Sequence, residues 1–404
     1  LAATGDLLNQ GALSAKGLHG AGGTVNLQAA TLNNQGSLVA DGLSGGGIHL
    51  WSSQTTENAG TISAISVTGS ASSLSSSASA SGQPATPQGG VITLFGTNQL
   101  TVGGQIDASS GEGVGGTIAL SSPDTRITNA QVNASGALMG GTILITAPTS
   151  QTPTASSTNV DPGAPAPTPK APMLAISGNT VIRSGSSRGY GGAIALTSDQ
   201  INLSDTVQLI ATGDLAGGLV LVGGNYQGGV IDGTQNANAV LVGKDVLIDA
   251  SATSFGNGGL VVVWSEKTTG FLGTILARGG AYNGSGGQVE TSSHENLQAL
   301  GNVVIDAPMG NAGSWLLDPF DVTITDDPNA VSSGVTVTST GIVANSDNAV
   351  ISAGAISQAL SSGGNVTIST GATGGQSGTI TVSGTLISTG LGGSLNLIAA
   401  GDIV

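Results

Sequence analysis

The chain has 404 residues, of which 68 are glycine, 2% aromatic, 8% charged and none cysteine. Ordinary soluble domains carry roughly 25% charged residues, which argues against most mixed α/β enzymes, yet 38% hydrophobic residues are enough to build a core and exclude a disordered chain. The formal charge of −15 repels phosphate backbones and anionic membrane surfaces, no run approaches the ~18 apolar residues of a bilayer span, and without cysteine there is neither a disulfide nor a thiolate metal site. Nucleic acid, membrane insertion and a cofactor are therefore not expected.

From the amino terminus onward one phrase recurs, Gly-Gly-x-Φ-x-Φ with Φ usually Val, Ile or Leu. It begins at Gly22, Gly45, Gly89, Gly115, Gly140, Gly191, Gly217, Gly258 and Gly286, with looser copies at Gly363 and Gly392. A second phrase of the kind Gly-x-Ile-x-Ala falls between the copies, as in Gly60 to Ala64, Gly104 to Ala108 and Gly273 to Ala277. Period-two alternation puts Val25 and Leu27, Ile118 and Leu120, and Ile143 and Ile145 on one face, with Thr24, Asn26, Thr117 and Thr142 on the other. Strands this short cannot bury a face against their own neighbours, but stacking each on its equivalent one repeat later does so continuously. The expected fold is all-β, a right-handed parallel β-helix (solenoid) of ~25-residue coils with loop insertions, roughly fourteen coils in all. The glycine pairs would supply positive φ at the corners, and Ala40, Ala64, Ala108 and Ala134 would suit a narrow interior. An antiparallel sandwich would need Asn-Gly or Asp-Gly hairpins at short spacing, and these are scarce.

Coils are expected over residues 1–315, interrupted at about 66–88 (Ser, Ala and Thr ending in prolines), 148–172 (rich in Pro and Thr) and 224–239, where a short added hairpin is one possibility. An irregular connection follows over 316–350. Residues 351–404 then hold a short helix, Ala353 to Leu360, capped by Ser352, stopped by Gly363 and Gly364 and sitting on the rod as a decoration, followed by further coils.

Gly313 to Thr325 reads Gly-Ser-Trp-Leu-Leu-Asp-Pro-Phe-Asp-Val-Thr-Ile-Thr, and Ala355 to Thr370 contains Gly-Gly-Asn-Val-Thr-Ile. These phrases resemble the filamentous-haemagglutinin-like exoproteins of Gram-negative two-partner secretion. The resemblance implies a very long secreted β-helix at the cell surface, exported through an outer-membrane transporter partner. It further implies a role in adhesion or in biofilm-matrix assembly, by binding a glycan or a host or bacterial surface protein. The amino-terminal secretion domain of that family is not recognised in this segment, so export is implied for the parent polypeptide.

Candidate binding residues follow from equal offsets within the repeat. Trp51, Phe95 and Trp264 each stand five residues after the second glycine of their phrase, so a ladder aligns them on one flank. There they offer rings to a sugar or a partner, or else close an edge where an insertion folds back. Leu219, Leu221, Leu260 and Val262 occupy outward positions that a solvated face would not choose, so either the excursion at 224–239 or a partner covers them. Asp318, Asp321, Asp326 and Asp327 are a weak calcium candidate without EF-hand or nonapeptide spacing, and serve better as turn carboxylates. His19, His49 and His294 have no paired ligand spacing and Trp315 reads as packing. The enzyme alternative, a glycan-active β-helix, rests on Asp199, Asp205 and Asp214 near Arg183 and Arg188. A third reading is a purely structural spacer. No catalytic residue is assigned.

Overall fold

The computed structural model describes residues 1–67, 86–148, 171–231, 233–327, 335–338, 341–344, 348–371, 376–390 and 392–404. Most of the two insertions at 66–88 and 148–172 thus lies outside the described residues. About half of the described residues are strand and 4% helix. The strands form a parallel sheet of 23 strands and another of ten, with one separate antiparallel pair, Val335–Thr338 with Gly341–Ala344. One coil shows the plan. Thr117–Ser121 follows the glycine pair, the chain bends into Asp124–Thr128 within the large sheet, and then turns into Gln131–Asn133 of the ten-stranded sheet. The next coil stacks on it in register, Ile118 on Ile143, Ile127 on Ile176 and Val132 on Ile182. This is a parallel β-helix.

Inward side chains form continuous columns. The column of the first strand runs Val25, Ile48, Ile92, Ile118, Ile143, Ile194, Val220, Val261, Val289, Trp315, Val366, Leu395. Among the described residues this column has twelve levels, against the roughly fourteen coils expected. At ~4.8 Å per rung the column is roughly 53 Å long. Each fully buried aliphatic contributes about 1.5–3 kcal/mol, and beta-branched residues suit both the pleat and the tight stacking. A polar ladder runs beside the apolar ones near the amino terminus, where Asn9 donates to Asn34 and Asn34 to Asn58, both at 2.7 Å.

The glycine pairs have a different cause from the one expected. Neither Gly115 nor Gly116 is among the residues with positive φ. What they permit is close approach. A Cβ on Gly115 would collide with the Ala134 carbonyl, and one on Gly116 with the Gly90 carbonyl of the preceding coil. The approach makes a bond that recurs at each corner: the second glycine donates its N–H to the carbonyl of the interior small residue, Gly46 to Ala40, Gly90 to Ala64, Gly116 to Ala108, Gly141 to Ala134 and Gly218 to Ala211, all at 2.7–2.8 Å. The bond from Gly90 to Ala64 closes over the whole 66–88 insertion, so the coil geometry is indifferent to what is spliced between.

Past residue 315 the large sheet continues through strands Ser314–Leu317, Val322–Thr325 and Ala349–Ser352, but not in chain order: Ala349–Ser352 lies between Asn296–Ala299 and Val322–Thr325. The first of these strands carries Trp315 in the core column, fully buried, its Nε1 donating to Thr291 Oγ1 at 2.9 Å. The helix Ala353–Ser361 begins at Ser352, whose hydroxyl accepts from Ala355 N, and ends before Gly363 at φ 88. It is not a surface decoration: Ala355, Ile356, Ala359 and Leu360 are buried in the main core, and the helix packs on Asn302–Val304, the last strand of the ten-stranded sheet. It takes the place of a third-face strand for one coil.

Replacing Gly116 by Ala forces a methyl group into the carbonyl of the neighbouring coil. Chemical denaturation should show a loss of about 3 kcal/mol or more, whereas Gly103→Ala, where a Cβ meets its nearest atom only at 3.6 Å, should lose less than about 1 kcal/mol.

Candidate functional site

Registry puts the three aromatic residues where equal offsets require. One outward row runs Trp51, Phe95, Ser121, Thr146, Thr197, then Gly223, then Trp264 and Ser292. It lies at the bend between the first and second strands of each coil. Trp51 and Phe95, one rung apart, stack with centroids 6.2 Å apart and planes 6° from parallel. Trp51 is 43% exposed and Phe95 partly so. In the adjoining outward row His49 Nδ1 and Thr93 Oγ1 share a hydrogen bond of 2.7 Å, which fixes the imidazole beside the rings.

Trp264 has the same offset and a different fate. The chain leaves the coil at Gly223, makes a tight turn over Tyr226–Gly228 and returns at Ala239. A Cβ on Gly228 would meet the indole of Trp264, so the turn lies directly on the ring. Trp264, Val262, Leu221 and Ile231 form a small second core, with Leu219 and Leu260 packed against it. The protein's own excursion therefore covers the apolar patch, and Trp264, Leu221 and Val262 are not accessible to a ligand while it stays closed. Leu219 remains partly exposed.

The excursion is pinned by a residue that sequence reading missed. Glu290, fully buried, follows Leu221 and Val262 in its outward row, and its Oε2 accepts from the backbone N–H of Gln227 at 2.8 Å. Gln227 holds a left-handed φ of 53°, a conformation that costs a residue with a side chain energy. Asn236 Nδ2 donates to Gly228 O at 2.8 Å and ties the two arms together. Burial is the largest influence on Glu290 and pushes its carboxyl above the ordinary value of 4.5; the bonds from Gln227 and Ser292 oppose this, and nearby Asp318 adds to it. Asp318 is itself raised by burial and lowered by His294, and His294 Nδ1 lies 3.6 Å from Glu266. The available signal was a glutamate at an outward position directly after apolar ones.

The remaining sequence candidates are dispersed. Asp321 Oδ1 accepts from Thr379 N at 2.7 Å and Asp326 Oδ2 from Thr385 N at 3.3 Å, so both join the next coil's backbone. Among the described residues no three His, Asp or Glu side chains form a group that could hold a metal ion. Asp199, Asp205 and Asp214 stand at three separate bends: Asp199 accepts from Asn238, Asp205 from Gly178 N at 2.8 Å and Asp214 from Thr253 at 3.2 Å. Arg188 pairs with Glu112 at 2.7 Å. No carboxylate pair converges on one point there. Between Pro148 and Pro172 on one side and Thr234, Gln235, Asn236 and Asn238 on the other lies a cleft of about 280 Å³, lined by polar and apolar groups alike, with Asp199 in its wall.

No family model matches the chain and no curated protein matches it. Among solved structures it is similar to the crystal structure of the HMW1 secretion domain from Haemophilus influenzae, with a TM-score of 0.48, 18% identity, 74% of this chain and 77% of that chain covered. No described helix is long and apolar enough to cross a membrane.

Two outcomes follow from the covered patch. Trp264→Ala should lower stability by the ~3–5 kcal/mol of a buried large-to-small change. The sign for Glu290 is set by its raised folded-state pKa: between 4.5 and that raised value the folded chain holds more protons than the unfolded one, so stability falls as pH rises through this window and is flat above it. Glu290→Gln keeps the acceptor for Gln227 and removes the charge. Thermal unfolding of this variant should lose part of the wild-type decline across the window and show a higher midpoint at neutral pH.

Proposed function

We propose that this chain is a segment of an exported cell-surface stalk, of the filamentous-haemagglutinin-like kind in Gram-negative bacteria, and that it binds a surface partner through the Trp51 and Phe95 flank without turnover. The observation that carries the reading is the stacked ring pair, Trp51 exposed and Phe95 partly so. On a chain with only 2% aromatic residues, two rings placed in one outward row present apolar area and π-faces at low entropic cost. The Trp-Leu-Leu-Asp-Pro phrase supports the assignment to that family, and with it export of the parent through an outer-membrane transporter. Stability drawn from repetition, with no cysteine to oxidise, suits a secreted rod. The same flank serves adhesion to a host surface or cohesion within a biofilm matrix, since both ask for a partner, a glycan or a surface protein, held at the side of a rod. The scattered Asp and Arg residues favour binding over catalysis.

The test is capture of glycans and of host and bacterial surface fractions by the 404-residue chain, with product analysis alongside. Trp51→Ala should cut capture by about tenfold and leave the thermal midpoint nearly unchanged. Capture indifferent to Trp51 removes the flank from the reading; turnover of a glycan replaces it with an enzyme; absence of any capture leaves a spacer.

A further inference from the structure

Beyond the ring pair, the row changes character. Ser121 and Thr146 succeed Phe95, small hydroxylated residues linked by a bond from Thr146 Oγ1 to Ser121 Oγ at 2.9 Å, and Thr197 comes next. With Ser121 and Thr146 half-buried and Thr197 buried, the row forms the floor of a hydroxyl-lined trough with a ring stack at one end. Its other end is the cleft of about 280 Å³, which Thr146 and Thr197 border together with Asp199. Asn238 Nδ2 donates to Asp199 Oδ1, which orients the carboxylate and leaves Oδ2 to accept from a ligand; Gln235, exposed on the facing arm, offers an amide. From Trp51 to Thr197 is four rungs, roughly 19 Å at ~4.8 Å each.

We infer that the trough takes a linear, uncharged oligosaccharide, one end stacked against the Trp51 and Phe95 rings and the other held by hydroxyl groups at Asp199. The assignment rests on the flank reading above and extends it by a second contact and a ligand class. Each part matches the chemistry of a neutral sugar. Ring faces receive the apolar C–H side of a pyranose, while a carboxylate oxygen and an amide accept from and donate to its hydroxyls. A few placed polar groups in a small cleft fix orientation. Charge sets the selectivity: with −15 on the chain and Asp199 in the cleft, a saccharide bearing sialic or uronic acids meets repulsion at the same wall. A peptide partner finds little here to match its alternating donors and acceptors, because every strand of the trough is already paired on both edges.

Titration calorimetry on the full chain tests this with two uncharged probes of different origin, a host-type oligomannoside and a bacterial-type β-glucan oligosaccharide, each as monosaccharide and tetrasaccharide, and a sialylated oligosaccharide as control. Binding of either neutral tetrasaccharide, about tenfold tighter than its monosaccharide and than the sialylated control, supports the assignment and names the source. Asp199→Asn should weaken the tetrasaccharide about tenfold, equivalent to about 1.4 kcal/mol, and Gln235→Ala, on an exposed loop, serves as a second variant if the first unfolds. If Trp51→Ala abolishes binding while Asp199→Asn and Gln235→Ala do not alter it, the trough is overturned and the flank stands. The trough is likewise overturned, with the flank left standing, if no saccharide binds and a protein partner depends on Trp51. If none of the three substitutions matters, both readings fall.

Discussion

The structure depends on how closely two backbones pass at one corner of each coil. The carbonyl of a small interior residue turns toward the glycine pair that opens the next coil and accepts a hydrogen bond from its second member. A side chain at either glycine has no room there. A coil so closed needs no contribution from its loops, and its strands are free to pair with equivalents above and below. Buried backbone groups in the strands are satisfied along the rod instead of within the repeat, and the apolar columns follow because each side-chain direction recurs at every rung.

That division explains where novelty sits in this chain. The column positions vary within narrow limits, Val, Ile and Leu replacing one another, because interior volume is fixed and packing density is high. Trp315 is the exception, and it occurs where the ten-stranded sheet gives way to a helix whose residues at the interface are mostly Ala. Insertions, by contrast, enter at bends. One is spanned by the Gly90 to Ala64 bond; another, residues 223–238, returns to lie over the side of the rod and supplies its own small core.

Most of the fold was legible in the sequence because period-two alternation and the glycine pairs report two constraints that nothing in the tertiary structure overrides: which face is buried, and where the chain must pass its neighbour. The cause assigned to the glycines was not legible, since a residue tolerated for positive φ and one demanded by close approach look identical in a sequence. The helix was found through its Ser352 cap and its Gly363 stop, yet its burial was not, because nine residues rich in Ala read the same on a surface as in a narrow interior. The row of Trp51, Phe95 and Trp264 was found by counting offsets; its exposure was not, because exposure is decided by insertions that obey no repeat.

Trp51 and Trp264 make that last point physical. Equal offset gives them equal direction, and the difference arises one rung away. Trp51 stacks on Phe95, a ring that adds apolar surface to its flank without closing it. Trp264 follows Gly223, the residue at which the chain departs, and the departing segment must return across whatever lies beside it. It returns across an apolar patch of its own making, but a backbone turn laid over apolar side chains brings N–H groups that need acceptors. Glu290 supplies one, to Gln227, at the cost of burying a carboxylate beside another at Asp318. The acidic side chain that looks misplaced in an apolar row is the acceptor the covering turn requires, and Trp51, exposed, and Phe95, half-buried, are the ring positions on the same flank for which the described chain provides no such cover.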